Sequence, residues 1–256
     1  MRTWRIIFIV LGILIELMSA GLLVYLIMIV PEFDPMAVLF FCVPFCTAAG
    51  GAFVMLFSKS LVKGIDNTMK KNLGPKPFIY PLPVLIVGTY GEDGTPDAMN
   101  VAYGGILNAA RLQINIGVRH KTSDNIKLRN EFTVGIADKA NLVPADYVGI
   151  VSGHDVTDKI AKAGWHVTKS ETVDAPVFDE LPLTLECRVE EINQYDKTLR
   201  IVAEIVNVLA DEAILDADGN IDADKLQAIS YDSSTKAYRI LGEKVGQAFA
   251  DGNTLK

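Results

Sequence analysis

"LTLECRVEEI" (residues 183–192) and "TLRIVAEIVNVLA" (198–210) decide the fold. Each alternates apolar and polar side chains, the period-two pattern of a strand with one face buried. Only "NQYDK" (193–197) separates them, so the two fold back on each other as an antiparallel hairpin. Upstream, "PVLIVGTY" (83–90) is a short apolar run rich in β formers, and "GEDGTP" turns it with Asp93-Gly94 at the tip. "DAMNVAYGGI" (97–106) returns as a strand, and "RLQINIGVRH" (111–120) alternates through Leu112, Ile114, Ile116 and Val118. "TSDNIKLRN" (122–130) has helical character, with Thr122 or Ser123 as its cap. "EFTVGIAD" (131–138) is strand again, while "PADYVGIVSG" and "DVTDKIAKAG" read as two short helices with glycine stops. "SYDSSTKAYRILGEKVGQAF" (230–249) forms the tail. The result is six or more mostly sequential strands with short helices inserted rather than alternating. That pattern predicts a mainly β chain built as a small antiparallel barrel, not a doubly wound sheet.

The front of the chain is of another kind. Residues 6–30 are 25 residues with one charge, about 37 Å if helical, enough to cross a hydrocarbon core of about 30 Å. "PEFDP" breaks the run, and residues 36–57 supply a second span without a charge. A signal peptide has a shorter apolar region and no second span behind it. The sequence therefore predicts a two-helix transmembrane hairpin over 1–57, a basic linker over 58–77 and a globular domain over 78–256. Arg2 and Arg5 precede the first span, and Lys59, Lys63, Lys70 and Lys71 follow the second. Basic residues mark the cytoplasmic side, so the expected location is the cell membrane, with both ends and the globular domain in the cytoplasm. Up to Gly74 six basic side chains face four acidic ones, so the −7 of the whole chain becomes −9 over the remainder. An acidic domain without a basic stripe argues against nucleic acid as a partner.

Several features invite chemistry they do not carry. Glu16 lies inside the first span without a Lys, Arg or His to pair with, and reads as a protonated, hydrogen-bonded carboxyl. Cys42 and Cys46 share a helix face but lack a third ligand, so they read as packing. The small residues 48–52, "AAGGA", suit close contact between helices. "GTYGEDG" (88–94) spaces its glycines like a phosphate loop, but a strand follows where a dinucleotide fingerprint needs a helix. "DADGNIDADK" (216–225) is acidic, but Gly219 and Gln227 miss the positions a calcium loop requires. His120, His154 and His166 are scattered, so no metal site is expected, and no motif names a catalytic residue. A chain without strong acid–base groups can still perform redox chemistry when a cofactor supplies it.

Five blocks taken together carry a resemblance. They are "GPKPFIYPLPVLIVGTYGEDGTPDAMNVAYGGI", "HKTSDNIKLRNEFTVGI", "ADYVGIVSGHDVTDKI", "DAPVFDELPLTLECRV" and "YRILGEKVGQAF", in this order across roughly residues 74 to 250. The chain resembles the flavin-reductase-like family of FMN-binding split-barrel proteins, in particular its flavoredoxin branch. The resemblance implies an antiparallel Greek-key split barrel, a homodimer, and FMN bound near the dimer interface. It further implies a flavin reductase using NADH or NADPH, or an electron carrier with a redox protein partner; a non-catalytic flavin-binding module is the alternative. The family's ring-binding segment matches Ala98 to Gly105, which implies Met99, Asn100, Val101, Ala102, Tyr103 and Gly104 as flavin neighbours. Here Asn100-Val101-Ala102-Tyr103 stands where the family often has Thr-Ala-Ala-Trp, which keeps an aromatic ring and removes a hydroxyl. A second family segment matches Arg119, Thr122, Asn125 and Ile126, and a third matches Ser152, Gly153, Asp155 and Lys159. The implied phosphate site takes Arg119, Thr122, Asn125, Ser152, Gly153 and Lys159. Hydroxyl and amide donors at a helix start, with a cation beside them, suit that chemistry.

Overall fold

The computed structural model describes residues 70–256. The spans expected at 6–30 and 36–57 lie outside the described residues, within which no helix is long and apolar enough to cross a membrane.

The long hairpin forms as its alternation requires. β9 (Leu183–Tyr195) and β10 (Thr198–Ala210) pair antiparallel from Tyr195 opposite Thr198 to Leu183 opposite Ala210. Asp196 takes the left-handed conformation in the turn. Two irregularities, at Val202/Ala203 and Ile205/Asn207, bend the ribbon, as bulges do. The hairpin is the centre of a seven-stranded antiparallel sheet. Its other members are β2 (Leu85–Tyr90), β3 (Pro96–Val101), β4 (Gly104–Asn108), β5 (Arg111–Gly117) and β6 (Glu131–Ile136). The order is β3-β2-β6-β9-β10-β5-β4. Only three of its neighbouring pairs, β2 with β3, β4 with β5 and β9 with β10, are also consecutive in the chain, so the strands are less sequential than the pattern suggests.

One expected strand divides. Residues 97–106 read as a single returning strand, yet β3 and β4 lie at opposite edges of the sheet, joined by Ala102 and Tyr103 alone. Two residues reach from edge to edge only if the sheet curls round on itself, which is what makes it a barrel. Gly104 permits the crossing: a Cβ there would stand 2.9 Å from Leu85 and 3.0 Å from Ile114.

The closed sheet encloses Val87, Val101, Leu112, Ile114, Phe132, Val134, Cys187, Leu199 and Ile201, all buried. A second core lies on the other face of β2 and β3. There Ile86 and Ala98 pack with Ala145, Val148, Ile160, Trp165 and Phe178. β2 is thus buried on both sides, which explains why it reads as a continuous apolar run rather than an alternation. The helices supplying the outer core are α2 (Leu142–Ile150) and α3 (Lys159–Ala163). α1 (Lys121–Arg129) packs on β2 and β3. A short hairpin, β7 (Val167–Lys169) with β8 (Pro176–Phe178), follows α3, and the four-residue α4 (Ala223–Leu226) comes after β10. A three-stranded sheet of β1 (Leu82–Pro83), β11 (Ile229–Asp232) and β12 (Ala237–Ile240) completes the domain.

Candidate functional site

The cap of α1 lies two residues or more before the Thr122 or Ser123 that its sequence suggests. His120 is the extended N-cap residue and uses no side-chain cap, so Thr122 lies inside the first turn. The Thr122 hydroxyl donates instead to Asp97 Oδ2 on β3, at 2.8 Å, and both residues are buried. A Ser or Thr caps a helix when its oxygen faces unpaired N–H groups. Here that face of α1 is pressed onto the sheet and meets a carboxylate. Ser123 donates to the Gly117 carbonyl at 2.7 Å, and Asn125 Nδ2 donates to Thr89 Oγ1 on β2 at 3.0 Å. Three polar side chains of one helix are thereby held on its inner side.

Asp97 gathers a second partner from further along the chain. Lys159, the first residue of α3, is 3 % exposed, and its Nζ lies 3.4 Å from Asp97 Oδ1. A buried ammonium without a counter-ion would be costly, and the carboxylate supplies one. Burial pushes the Lys159 pKa down, and the Asp97 charge pushes back against that shift. Lys159 is therefore not a solvated surface charge. Gly153 passes so close that a Cβ on it would collide with the Asp97 carboxylate. Ser152 turns to its own loop, accepting from the His154 N–H at 3.2 Å.

Above this junction opens a cleft of about 180 Å³ lined by Thr95, Asp97, Lys121, Gly153, His154 and Thr157, with Asp93 at the rim. Asp93 turns its carboxylate onto the Thr95 N–H and hydroxyl, at 3.0 and 2.8 Å, and these bonds hold its pKa down. The His154 ring faces Asp124 at 3.4 Å. With Asp97 and Lys159 paired to each other, Lys121 is the lysine that lines the cleft, where its charge helps to hold down the pKa of Asp93. Asp97 and Lys121 are the residues that sequence reasoning missed. The visible signal was a lone acid inside a strand of small and apolar residues, and a lysine directly before Thr122.

The remaining expected residues fall into two groups. Met99, Asn100, Val101, Ala102, Tyr103 and Gly104 form the end of β3, the connector and the start of β4. Val101 points into the barrel and is buried, while Met99 packs at its margin. Asn100 Nδ2 ties β3 to the Ala145 carbonyl of α2 at 3.1 Å. Tyr103 is exposed, and its carbonyl accepts from the Asn115 N–H at 2.7 Å. Arg119 stands in solvent with no ion pair among the described residues. The structure thus brings Thr122, Gly153 and Lys159 onto one carboxylate, sets Asn125 a turn away on Thr89, and leaves Arg119 outside that network.

Comparison with known proteins agrees with this architecture. A family model described as "Flavin reductase like domain" matches residues 78–228, more than half of the chain. A flavoredoxin of Desulfovibrio vulgaris is 32% identical, with a TM-score of 0.69 over 72% of this chain and 100% of that one. A flavoredoxin from Methanosarcina acetivorans is 27% identical, with a TM-score of 0.68 over 73% of this chain and 99% of that one. An FMN-binding protein from Thermus thermophilus, 18% identical with a TM-score of 0.58 over 70% of this chain and 98% of that one, shares the fold. No curated protein matches. With a barrel closed through a two-residue connector and a family match across it, the chain belongs to the flavin reductase like domain family.

Proposed function

We propose that this chain is an FMN-binding oxidoreductase: a homodimeric flavin reductase or flavoredoxin-type electron carrier drawing electrons from NADH or NADPH. The observation that carries the reading is the convergence of two family segments, 25 and 62 residues away from Asp97, on that one carboxylate beside a cleft that Lys121 lines.

The residues present fit FMN. Lys121 and the first-turn N–H groups of α1 would bind its phosphate. Asp97, held by Thr122 and Lys159, fixes where that turn sits. The Thr122 hydroxyl already donates its one hydrogen bond to Asp97, so it works as a positioning residue rather than a phosphate donor. The backbone from Met99 to Gly104 would line the ring, with Tyr103 as the aromatic wall and the Val101 side chain kept in the barrel core. When bound, the flavin supplies the electron-accepting and electron-donating chemistry that no side chain of the site provides. The hairpin read at 6–30 and 36–57 would hold the domain at the cytoplasmic face of the membrane.

The test is a visible spectrum of the purified full chain with FMN, before and after NADH or NADPH under anaerobic conditions. A flavin band that bleaches is expected. A folded protein that binds no flavin rejects the proposal, and one that holds FMN unreduced by either donor leaves only the binding module. Lys121→Ala should weaken FMN by roughly ten- to a hundredfold and leave riboflavin, which has no phosphate, unchanged.

A further inference from the structure

The three-stranded sheet ends in a corner that is both basic and apolar. β1 pairs with β11 so that Leu82 stands opposite Tyr231, which brings the residues before β1 alongside the β11–β12 turn. The Tyr80 hydroxyl donates to Asp232 Oδ1 at 2.7 Å, and Arg239 Nε donates to Asp232 Oδ2 at 3.2 Å, so both segments are held on one buried carboxylate. Beyond that fastening the apolar side chains are open: Ile79 is 70% exposed, Tyr80 about half and Phe78 over a third. Lys76 Nζ lies 5.6 Å above the centre of the Phe78 ring. Lys236, within the turn, and Arg239 are exposed at the same end. Neither residues 70–83 nor residues 233–242 contain an acidic side chain.

Charge sets this corner apart from the rest of the domain. The −9 carried beyond Gly74 includes Lys76, so residues 78–256 hold a net −10. A negative surface repels such a domain except where its basic corner is presented. Chain length then limits where that corner can lie. Twelve residues, 58–69, separate the second apolar run from Lys70, and even fully extended they reach only about 45 Å. Aromatic and aliphatic side chains set among lysines and arginines are the composition of a membrane-surface contact, with the rings at headgroup level and the cations on anionic lipid.

We propose that this corner, formed by residues 76–80 and the β11–β12 turn with Arg239, docks on anionic phospholipid. Phe78 and Ile79 enter the interface, while Lys76, Lys236 and Arg239 meet the headgroup phosphates. The inference rests on the membrane anchoring proposed above and assigns the face that the domain turns to the bilayer. Lipid is the occupant because the anchor keeps the corner within reach of the bilayer, and because its cations complement a negative leaflet. The bond from Tyr80 to Asp232 makes the corner part of the folded domain, so docking there orients the whole domain and not only its linker.

The test places the full-length chain, with Cys42→Ser and Cys46→Ser, in lipid nanodiscs and carries an NBD fluorophore on Ile79→Cys; Cys187 is buried in the barrel and stays unlabelled. Discs of phosphatidylcholine with about 30% phosphatidylglycerol are compared with phosphatidylcholine alone, each with and without nitroxide-labelled lipid. Blue-shifted emission, quenched by the nitroxide several-fold more strongly in the anionic discs, is expected. The same fluorophore on Lys197→Cys, in the turn between β9 and β10, should escape quenching. Lys76→Gln with Lys236→Gln should lower the Ile79 signal toward the phosphatidylcholine level. An unquenched Ile79 probe on a chain that co-purifies with the discs overturns the docking while the anchor stands. Equal quenching in both lipids, or quenching unchanged in the double variant, overturns it as well. A folded chain that enters neither discs nor liposomes overturns the anchor and the docking together.

Discussion

Two carboxylates of the domain, Asp97 and Asp232, are buried to nearly the same degree and live differently. Asp232 is saturated. It accepts from the Tyr80 hydroxyl at 2.7 Å, from the N–H and hydroxyl groups of Ser234 and Thr235, and from Arg239 Nε at 3.2 Å. It ties the β11–β12 turn to the segment before β1, and nothing remains for a ligand to use. Asp97 receives one hydroxyl and one ammonium, the latter at the long distance of 3.4 Å, and a cleft opens beside it. The difference teaches how to tell a structural knot from a site: burial is shared, but only the site keeps a polar group incompletely engaged next to open volume.

The comparison breaks most visibly at Lys159. Lys159→Met leaves Asp97 buried without a cation, which costs on the order of 3–5 kcal/mol. Urea unfolding should show that loss, and Asp97→Asn added to it should recover most of it. A single variant within 1 kcal/mol of wild type would mean the cleft already screens Asp97 as water does.

Thr122→Val removes one hydrogen bond to a charged group, an effect of about 1.5–3 kcal/mol. Because Thr122, through Asp97, positions the turn that carries Lys121, FMN should weaken while riboflavin changes little, in the same sense as at Lys121. Titrating both flavins by fluorescence quenching decides it, and equal losses for the two would mean that Thr122 serves the fold rather than the phosphate turn.

At Asp232 the sharpening is in pH. The Tyr80 hydroxyl, with Thr235, Ser234 and Arg239, holds its pKa well below the ordinary carboxylate range. A depressed folded-state pKa contributes stability that is fully present above the unfolded value of about 4 and is lost as the pH falls below it. The urea midpoint should therefore drop between pH 5 and pH 2 less steeply in Asp232→Asn than in wild type. Parallel drops would show that the knot does not set the acid response.

The smallest effect is expected at Cys187, whose surroundings are apolar where those of the two acids are polar. Burial pushes its thiol up to about 12. In the native protein at pH 8 the Cys187 peptide should stay unmodified by iodoacetamide, read by mass spectrometry; prompt alkylation would mean the barrel opens readily.

Much of this was legible without coordinates. Leu112, Ile114 and Ile116 announced a buried face because side chains alternate across a pleated strand, and all three are in the barrel core. The Asp93-Gly94 turn was equally plain: Gly94 takes the positive φ that such a turn needs, 81°. The candidate site was readable as a set of residues but not as a set of contacts. Thr122 looked like a cap because local pattern reports only a helix start, and the carboxylate that claims it lies 25 residues away.

The sequence by itself determined where most of the long strands and the helices form, which faces are apolar, and that the first 57 residues differ in composition from the rest, because periodicity and hydropathy are local properties. Only the tertiary structure decided that residues 97–106 divide between two edges of one sheet, and that Asp97 meets both Thr122 and Lys159. Barrel closure sets those distances, and no local pattern in a chain records which remote group a buried carboxylate will find.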